Sequence, residues 1–157
     1  MSRIGRYIAI AVLALGVAGV AMGTAFIIEG QSKANLIKNS MRQEQVTLGV
    51  EGATAGNLVD SAAEAQKAAD TVREHRLTTY GTYKEVTGGA GYDPTNINQL
   101  KYTQALNLEH SLYLGVASLG LTTVTIVSGI FMVVTGIALG GTGIVLFQLA
   151  KAKAATA

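Results

Sequence analysis

An uncharged apolar stretch dominates the second half of the chain. Residues 111–150 contain no Asp, Glu, Lys, Arg or His, and a second apolar run covers residues 7–28. A run longer than about 18 apolar residues predicts a membrane-spanning helix, because about 20 residues at 1.5 Å each cross the hydrocarbon core of a bilayer. The pattern therefore predicts an all-α integral membrane protein, with two long antiparallel helices that span the membrane and extend outside it.

Both apolar stretches carry small residues at a period of seven. In a membrane, small residues mark the face on which helices touch, and a seven-residue period favours a left-handed supercoil with a partner helix. We expect the faces of the two stretches to meet, either within one chain or between copies. The predicted packing residues are Gly16, Gly19, Gly23 and Gly30 in the first stretch and Gly115, Thr122, Gly129, Gly136, Gly140 and Gly143 in the second.

The length of residues 111–150 allows two topologies. As a single helix these residues would be about 60 Å long, which is twice the hydrocarbon thickness. Two short spans that turn near Ser128 and Gly129 would fit that thickness, but the turn would interrupt the small-residue period and place Lys151 and Lys153 outside. We therefore expect one long helix, of which about residues 121–147 lie in the membrane.

The distribution of charge predicts the orientation in the cell membrane. Residues 29–110 hold all ten acids and eight of the bases, and the remaining bases flank the two apolar stretches. These flanking bases are Arg3, Arg6, Lys151 and Lys153. Because basic residues favour the cytoplasmic side, we expect residues 1–6 and 151–157 to be cytoplasmic and residues 29–110 to form an extracytoplasmic domain. The net charge of +2 therefore gives no argument for nucleic-acid binding.

The first apolar stretch has an alternative interpretation as a secretory signal peptide with a cleavage site near Gly23-Thr24-Ala25. Its length of about 22 residues exceeds the 7–15-residue core of a signal peptide. We therefore interpret residues 7–28 as an uncleaved signal anchor.

The segment between the apolar stretches predicts helices joined by turns. The first helix is expected to continue to about Thr47, and residues 49–56 form a glycine-rich turn. Asp60 or Asn57 is then expected to cap a short helix that packs on the extracytoplasmic part of the long helices. Its heptad stripe consists of Leu58, Ala62, Ala65, Ala69 and Val72. The basic residues expected to favour its C-terminal dipole are Arg73, His75 and Arg76.

A looser segment over residues 79–92 separates this short helix from the second long helix. Asp93 followed by Pro94 has the signature of an N-cap with proline at the first helical position. We therefore expect the second long helix to begin there and to lead without a break into residues 111–150.

Candidate chemistry is sparse. The pairs Glu74-His75 and Glu109-His110 suggest a metal site, but adjacent residues on a helix point about 100° apart and do not share a face. The glycine-rich residues 88–91 lack the preceding strand and the following Lys of a phosphate loop. Cysteine is absent, which excludes disulfides and thiolate ligands. We expect no catalytic site, no metal and no cofactor.

The leading hypothesis is a non-enzymatic membrane protein that forms a homo-oligomer through its Gly/Ala heptad faces and has a structural, scaffolding or accessory-subunit role. Its expected partners are the lipid bilayer, other copies of itself and other membrane subunits, but no nucleic acid. The alternatives are a small channel-like oligomer and a sensor that signals through a partner. The possible pore-facing residues are Ser118, Thr125, Ser128 and Thr135.

Overall fold

The computed structural model describes residues 3–47 and 58–155, and this part of the chain is all-helical. Its elements are α1 (Arg3–Gln43), α2 (Ala62–Tyr80), α3 (Tyr83–Thr87) and α4 (Ile97–Ala155). Two of these helices, α1 and α4, are long and apolar, and α2 is the shorter helix that the sequence predicts. The glycine-rich turn over residues 49–56 lies outside the described residues.

Both long helices are long and apolar enough to cross a membrane. The candidate spans cover Gly5–Gln43 and Ile97–Ala152, with mean hydropathies of 2.3 and 2.2 in their most apolar windows. The helix α4 continues through Ser128 and Gly129 without a break, so residues 111–150 do not form two short spans. Two candidate membrane-spanning helices suggest a membrane protein.

The contacts divide the chain into two compact units. The terminal unit comprises Met1–Lys33 and Thr122–Ala157, and the central unit comprises Ala34–Leu121. In the terminal unit α1 and α4 pack as an antiparallel pair, because Gly143 contacts Leu13 while Gly129 contacts Gly23.

The central unit has a small core around α2. Its buried members are Val59, Ala65, Ala68, Ala69 and Leu112. Three of these five residues are alanines, so the core buries little apolar area per residue. At about 25 cal/mol for each Å² of apolar surface buried, its hydrophobic stabilisation is correspondingly small. Close approach of the helices, rather than large side chains, accounts for the packing.

The end of α1 and the approach to α2 differ from the sequence prediction. The helix ends at Gln43 rather than near Thr47, and the amide of Val59 donates a 2.9 Å hydrogen bond to the carbonyl of Val46. Leu58 is not part of a helical stripe, because it forms an isolated antiparallel bridge with Thr47. Propensity and periodicity do not reveal this pairing, since it joins residues that are 11 positions apart in the sequence.

The N-cap of α2 is Ser61, not Asp60 or Asn57. The Ser61 hydroxyl accepts a 3.2 Å hydrogen bond from the amide of Glu64, and the Glu64 carboxylate in turn accepts a 3.2 Å bond from the amide of Asp60. The Asp60 carboxylate is instead 2.7 Å from the Arg42 guanidinium. Asp60 therefore joins the start of α2 to the end of α1.

Substitution of Ser61 tests this cap. Because Ser61→Ala leaves the Glu64 amide without an acceptor, we expect the free energy of unfolding of the central unit to fall by about 1 kcal/mol. Amide hydrogen exchange along α2 measures the change. The exposed Thr78 of the same helix provides the control, and equal effects of Ser61→Ala and Thr78→Ala would contradict the assignment.

Two further helix starts differ from the prediction. Thr82 and Glu85 form a capping box that begins α3 within the segment expected to be looser. The long helix α4 begins at Ile97, and Asn96 accepts hydrogen bonds from the amides of the next turn. Asp93 therefore does not cap α4; its carboxylate accepts a 2.9 Å bond from the amide of Thr95 within the preceding turn.

Candidate functional site

The closest contact between α1 and α4 lies where glycines face each other. A Cβ atom built on Gly23 would lie 2.5 Å from the carbonyl oxygen of Gly129, and one built on Gly136 would lie 2.7 Å from that of Gly16. Real Cβ atoms essentially never approach within 3.0 Å of another heavy atom, so only glycine permits this separation of the two backbones. We call this surface the glycine seam.

Burial along the glycine seam follows a strict period of seven. The buried positions are Ala9, Gly16, Gly23 and Gly30 on α1 and Thr122, Gly129, Gly136, Gly143 and Ala150 on α4. Ala9 and Ala150 were not among the predicted packing residues, although each extends the sequence period by one step. The seam therefore joins a face of α1 to a face of α4 in the same chain. Its glycines contact the other helix within one chain and are not available to a second copy.

The remaining predicted packing residues differ in their surroundings. A Cβ atom on Gly19 would lie 3.2 Å from the Cα of Gly136, so Gly19 belongs to the seam. Gly140 presents its backbone to Gly16, but its own side-chain direction is open. Gly115 lies in the central unit, where Met41 would be 3.6 Å from its Cβ atom at ordinary van der Waals distance. The packing at position 115 would therefore also accommodate a residue with a Cβ atom.

The four predicted pore-facing residues do not share one environment. Ser118 and Thr125 are half-buried, whereas Ser128 and Thr135 are exposed. They form two pairs, each separated by seven residues, on different sides of α4. Only Ser128 and Thr135 are well exposed to solvent, lipid or another copy.

A buried ion pair connects α2 and α4 in the central unit. The Nε atom of Arg76 is 2.8 Å from Oε2 of Glu109, and the two side chains are only 7% and 6% exposed. The Nη1 atom of Arg76 donates a 3.0 Å hydrogen bond to the Tyr102 hydroxyl. The hydrogen bond to Glu109 raises the pKa of Arg76, which keeps the guanidinium charged. Each of the two buried charges is therefore compensated by the other, and the pair joins α2 to α4.

The sequence pattern does not predict this ion pair, and it places Arg76 near the C-terminal end of α2. The helix continues to Tyr80, so Arg76 lies one turn inside it. A signal was present in the spacing, because Arg76 follows Ala69 by seven residues and Glu109 follows Tyr102 by seven. A charged residue on a predicted apolar stripe is a reason to look for a buried partner.

A second polar contact between α2 and α4 lies at the surface. The Tyr113 hydroxyl donates a 2.6 Å hydrogen bond to Oδ1 of Asp70. This bond, with a second from Gln66, holds the pKa of Asp70 below its usual value. The charged carboxylate is thus favoured in the folded state.

Removal of the Tyr113 hydroxyl tests this contact. In Tyr113→Phe we expect the pKa of Asp70 to rise towards its usual value, which carboxyl-detected NMR titration measures. Because the folded-state pKa is the lower one, the stabilising contribution of Asp70 is present above its unfolded pKa and is lost as the pH falls through its folded pKa. Tyr92→Phe, which changes an exposed tyrosine between α3 and α4, is the control. An unchanged Asp70 titration in Tyr113→Phe would contradict the assignment.

The residues suggested as metal ligands are not brought together. Glu109 is paired with Arg76, while His75 and His110 are exposed. Within residues 3–47 and 58–155, no group of three or more His, Cys, Asp or Glu side chains lies close enough to hold a metal ion. The glycine-rich residues 88–91 follow α3, and Gly88, Gly89 and Gly91 adopt positive φ angles of 60°, 77° and 96°. They form a turn.

In the part of the chain that the structure describes, the terminal unit holds the glycine seam and the central unit holds a buried ion pair between α2 and α4. Comparison of the chain with protein-family models, with curated proteins and with solved structures finds no match.

Proposed function

We propose that this protein is a non-enzymatic integral membrane protein with a structural, scaffolding or accessory-subunit role. The observation that carries the proposal is the exposure of its apolar helices. In the most apolar window of each long helix only 11% of the residues are buried. The core helix of a soluble protein is mostly buried, so these surfaces require another apolar environment. A lipid bilayer supplies one.

Large apolar side chains cover the part of α4 that does not face the glycine seam. Examples are Leu121, Phe131 and Ile137, which are 70%, 70% and 63% exposed. Such a helix has small residues on the face that contacts its neighbour and large apolar residues on the outer face. Acyl chains can contact this outer face without removing water from polar groups, so the helix is well suited to a lipid environment. The absence of charge from residues 111–150 agrees with this placement.

The proposed orientation places both termini in the cytoplasm and residues 29–110 outside the cell membrane. The support is the excess of Arg and Lys at the two chain ends. The stretch from residue 7 to residue 28 then acts as an uncleaved signal anchor. In this arrangement the central unit is an extracytoplasmic domain accessible to other membrane subunits.

Self-association of copies is part of the proposal, and the structure affects which face it would use. The glycine seam is occupied within one chain, whereas an alanine face on α1 is exposed. This face consists of Ala11, Ala14, Ala18 and Ala25, which follow one another in steps of three, four and seven residues. Small residues at such spacing permit close helix contact in lipid, so we place the homo-oligomer contact there.

Native mass spectrometry of the full chain released from nanodiscs tests the proposal. We expect incorporation into the discs and a single discrete homo-oligomer, which Ala18→Leu reduces to a monomer. The matched control is Leu15→Phe, because Leu15 is also exposed on α1 but lies outside the alanine face. A chain that stays outside the discs would contradict membrane integration. A monomer in the wild type would contradict self-association alone and leave the accessory role.

The exposure of Ser128 and Thr135 favours a second candidate, a small channel-like oligomer lined by this side of α4. Single-channel recording of the reconstituted oligomer tests it. Conductance that changes in Thr135→Val would support the channel, and an electrically silent oligomer would exclude it.

A further inference from the structure

The antiparallel register of the terminal unit brings the basic ends of α1 and α4 together. A Cβ atom on Gly143 would lie 2.8 Å from the amide nitrogen of Leu13. Arg6 lies seven residues before Leu13 and Ala150 lies seven residues after Gly143, so in an antiparallel pair Arg6 and Ala150 are at the same level. Ala150 is only 2% exposed, so the two helices are still packed at this point. Arg6 and the neighbouring Lys151 therefore lie at the same end of the helix pair.

This end of the terminal unit carries positive charge only. Both Arg6 and Lys151 are exposed, and Arg3 and Lys153 belong to the same terminal turns of α1 and α4. No Asp or Glu occurs in residues 1–28 or 111–157. Four basic residues at the end of a membrane span attract anionic lipid headgroups.

An apolar groove runs along the same helix pair. It has a volume of about 590 Å³, and its lining includes Leu13, Val17, Val20, Ile137, Gly141 and Ile144. A Cβ atom on Gly141 would meet nothing within 4 Å, so this glycine leaves the groove open instead of serving the contact between the helices.

The groove lies at the depth of an acyl chain below the basic end. Leu13 follows Arg6 by seven residues, and Ile144 precedes Lys151 by seven, which is about 10 Å along each helix at 1.5 Å per residue. The far end of the groove, at Val20, is about 21 Å from Arg6. A phospholipid with its phosphate at the basic end would have its acyl chain between these two depths.

We propose that the terminal unit binds one anionic phospholipid, with its headgroup at Arg6 and Lys151 and an acyl chain in the groove. This inference rests on the proposed function, in which α1 and α4 span a bilayer. Charge complementarity supports a lipid as the occupant, because an anionic headgroup neutralises the basic side chains at this end of the helix pair.

Competition between lipids tests the headgroup contact. The full chain is reconstituted in nanodiscs with equal amounts of phosphatidylglycerol and phosphatidylcholine, and the retained lipid is measured by native mass spectrometry. We expect the wild type to retain phosphatidylglycerol preferentially. The double variant Arg6→Gln/Lys151→Gln should weaken this preference roughly 25-fold, from about fivefold for each basic residue. Lys67→Gln/Lys101→Gln, which removes two exposed charges of the central unit, should retain it.

Two glycine substitutions test the groove. Gly141→Leu places a side chain in the groove from a Cβ position that meets no other atom within 4 Å, and we expect the retained phosphatidylglycerol to fall at least tenfold. Gly120→Leu is the matched control, because Gly120 is another α4 glycine with nothing within 4 Å of its Cβ position and lies outside the groove. It should retain the lipid at the wild-type level.

The outcomes separate this inference from the proposed function. A chain that enters the discs but retains both lipids equally, or whose preference survives Arg6→Gln/Lys151→Gln, overturns the lipid site and leaves membrane integration intact. A dimer that forms without retained lipid and is disrupted by Gly141→Leu assigns the groove to a second copy and also overturns it. Failure to enter discs of any composition overturns the proposed function, and the lipid site with it.

Discussion

Gly136→Leu should separate α1 from α4 in the terminal unit. A Cβ atom at this position would lie 2.7 Å from the carbonyl oxygen of Gly16 and 2.7 Å from the amide nitrogen of Val20. Both atoms belong to the backbone, so a side-chain rotation cannot relieve the clash. Overpacking usually costs about 1–3 kcal/mol, and we expect at least about 3 kcal/mol here because two backbones must move apart. Unfolding in mixed micelles of increasing sodium dodecyl sulfate content, followed by circular dichroism, measures the loss.

Gly120→Leu provides the matched comparison for this substitution. It changes the same residue type in the same helix, but its Cβ position is open. Because leucine has a higher helix propensity than glycine, we expect this variant to unfold at the same or a higher detergent fraction than the wild type, by up to about 1 kcal/mol. Equal destabilisation by Gly136→Leu and Gly120→Leu would mean that helix contact is not the reason for the glycines.

Breaking the buried ion pair should have the largest effect in the central unit. In Glu109→Leu the Arg76 guanidinium loses its partner at 2.8 Å while its side chain remains only 7% exposed. An unpaired buried charge costs about 3–5 kcal/mol. We expect the free energy of opening of the α2 amides, measured by hydrogen exchange, to fall by about 3–5 kcal/mol, because this helix is joined to α4 through Arg76. Protection of the terminal-unit amides serves as the internal control.

Removal of the whole polar cluster should restore most of that loss. In the variant Arg76→Met/Glu109→Leu/Tyr102→Phe, no charge and no hydroxyl of the cluster is left buried without a partner. Replacement of buried ion pairs by apolar residues of similar volume is often neutral or stabilising. If this triple variant is destabilised as strongly as Glu109→Leu, the cost arises from shape and not from the unpaired charge.

The glycines at which α1 and α4 touch in the terminal unit stand out in the sequence for a physical reason. Small residues let two helix backbones approach closely and glycine permits the closest approach, so a period of seven at Gly16, Gly23 and Gly30 and again at Gly129, Gly136 and Gly143 predicts a contact face. The period also distinguishes one long helix from two spans, because a turn near Ser128 would end it. The partner of each face is not encoded, and both intrachain and intermolecular contact satisfy the pattern.

The central unit is harder to predict because its features depend on contacts between distant residues. Arg76 and Glu109 are 33 positions apart, and each residue type taken alone is typical of a solvent-exposed position on a helix. The bridge between Thr47 and Leu58 and the ion pair between Arg42 and Asp60 likewise join separate elements. Local signals exist for the starts of two short helices, because Ser61 precedes Glu64 and Thr82 precedes Glu85 by three residues.

The most direct test of the central claim is whether α1 and α4 pair within one chain in a bilayer. The chain has no cysteine, so spin labels can be attached at Ile8→Cys and Gln148→Cys, which are exposed and nearly level in the antiparallel register. Double electron–electron resonance in nanodiscs should give one narrow distance within roughly 30 Å, since packed helix axes are about 8–10 Å apart. This distance should be unchanged when labelled protein is diluted tenfold with unlabelled protein. A distance that disappears on dilution would show that the glycine seam joins different copies, and it would contradict pairing of α1 and α4 within one chain.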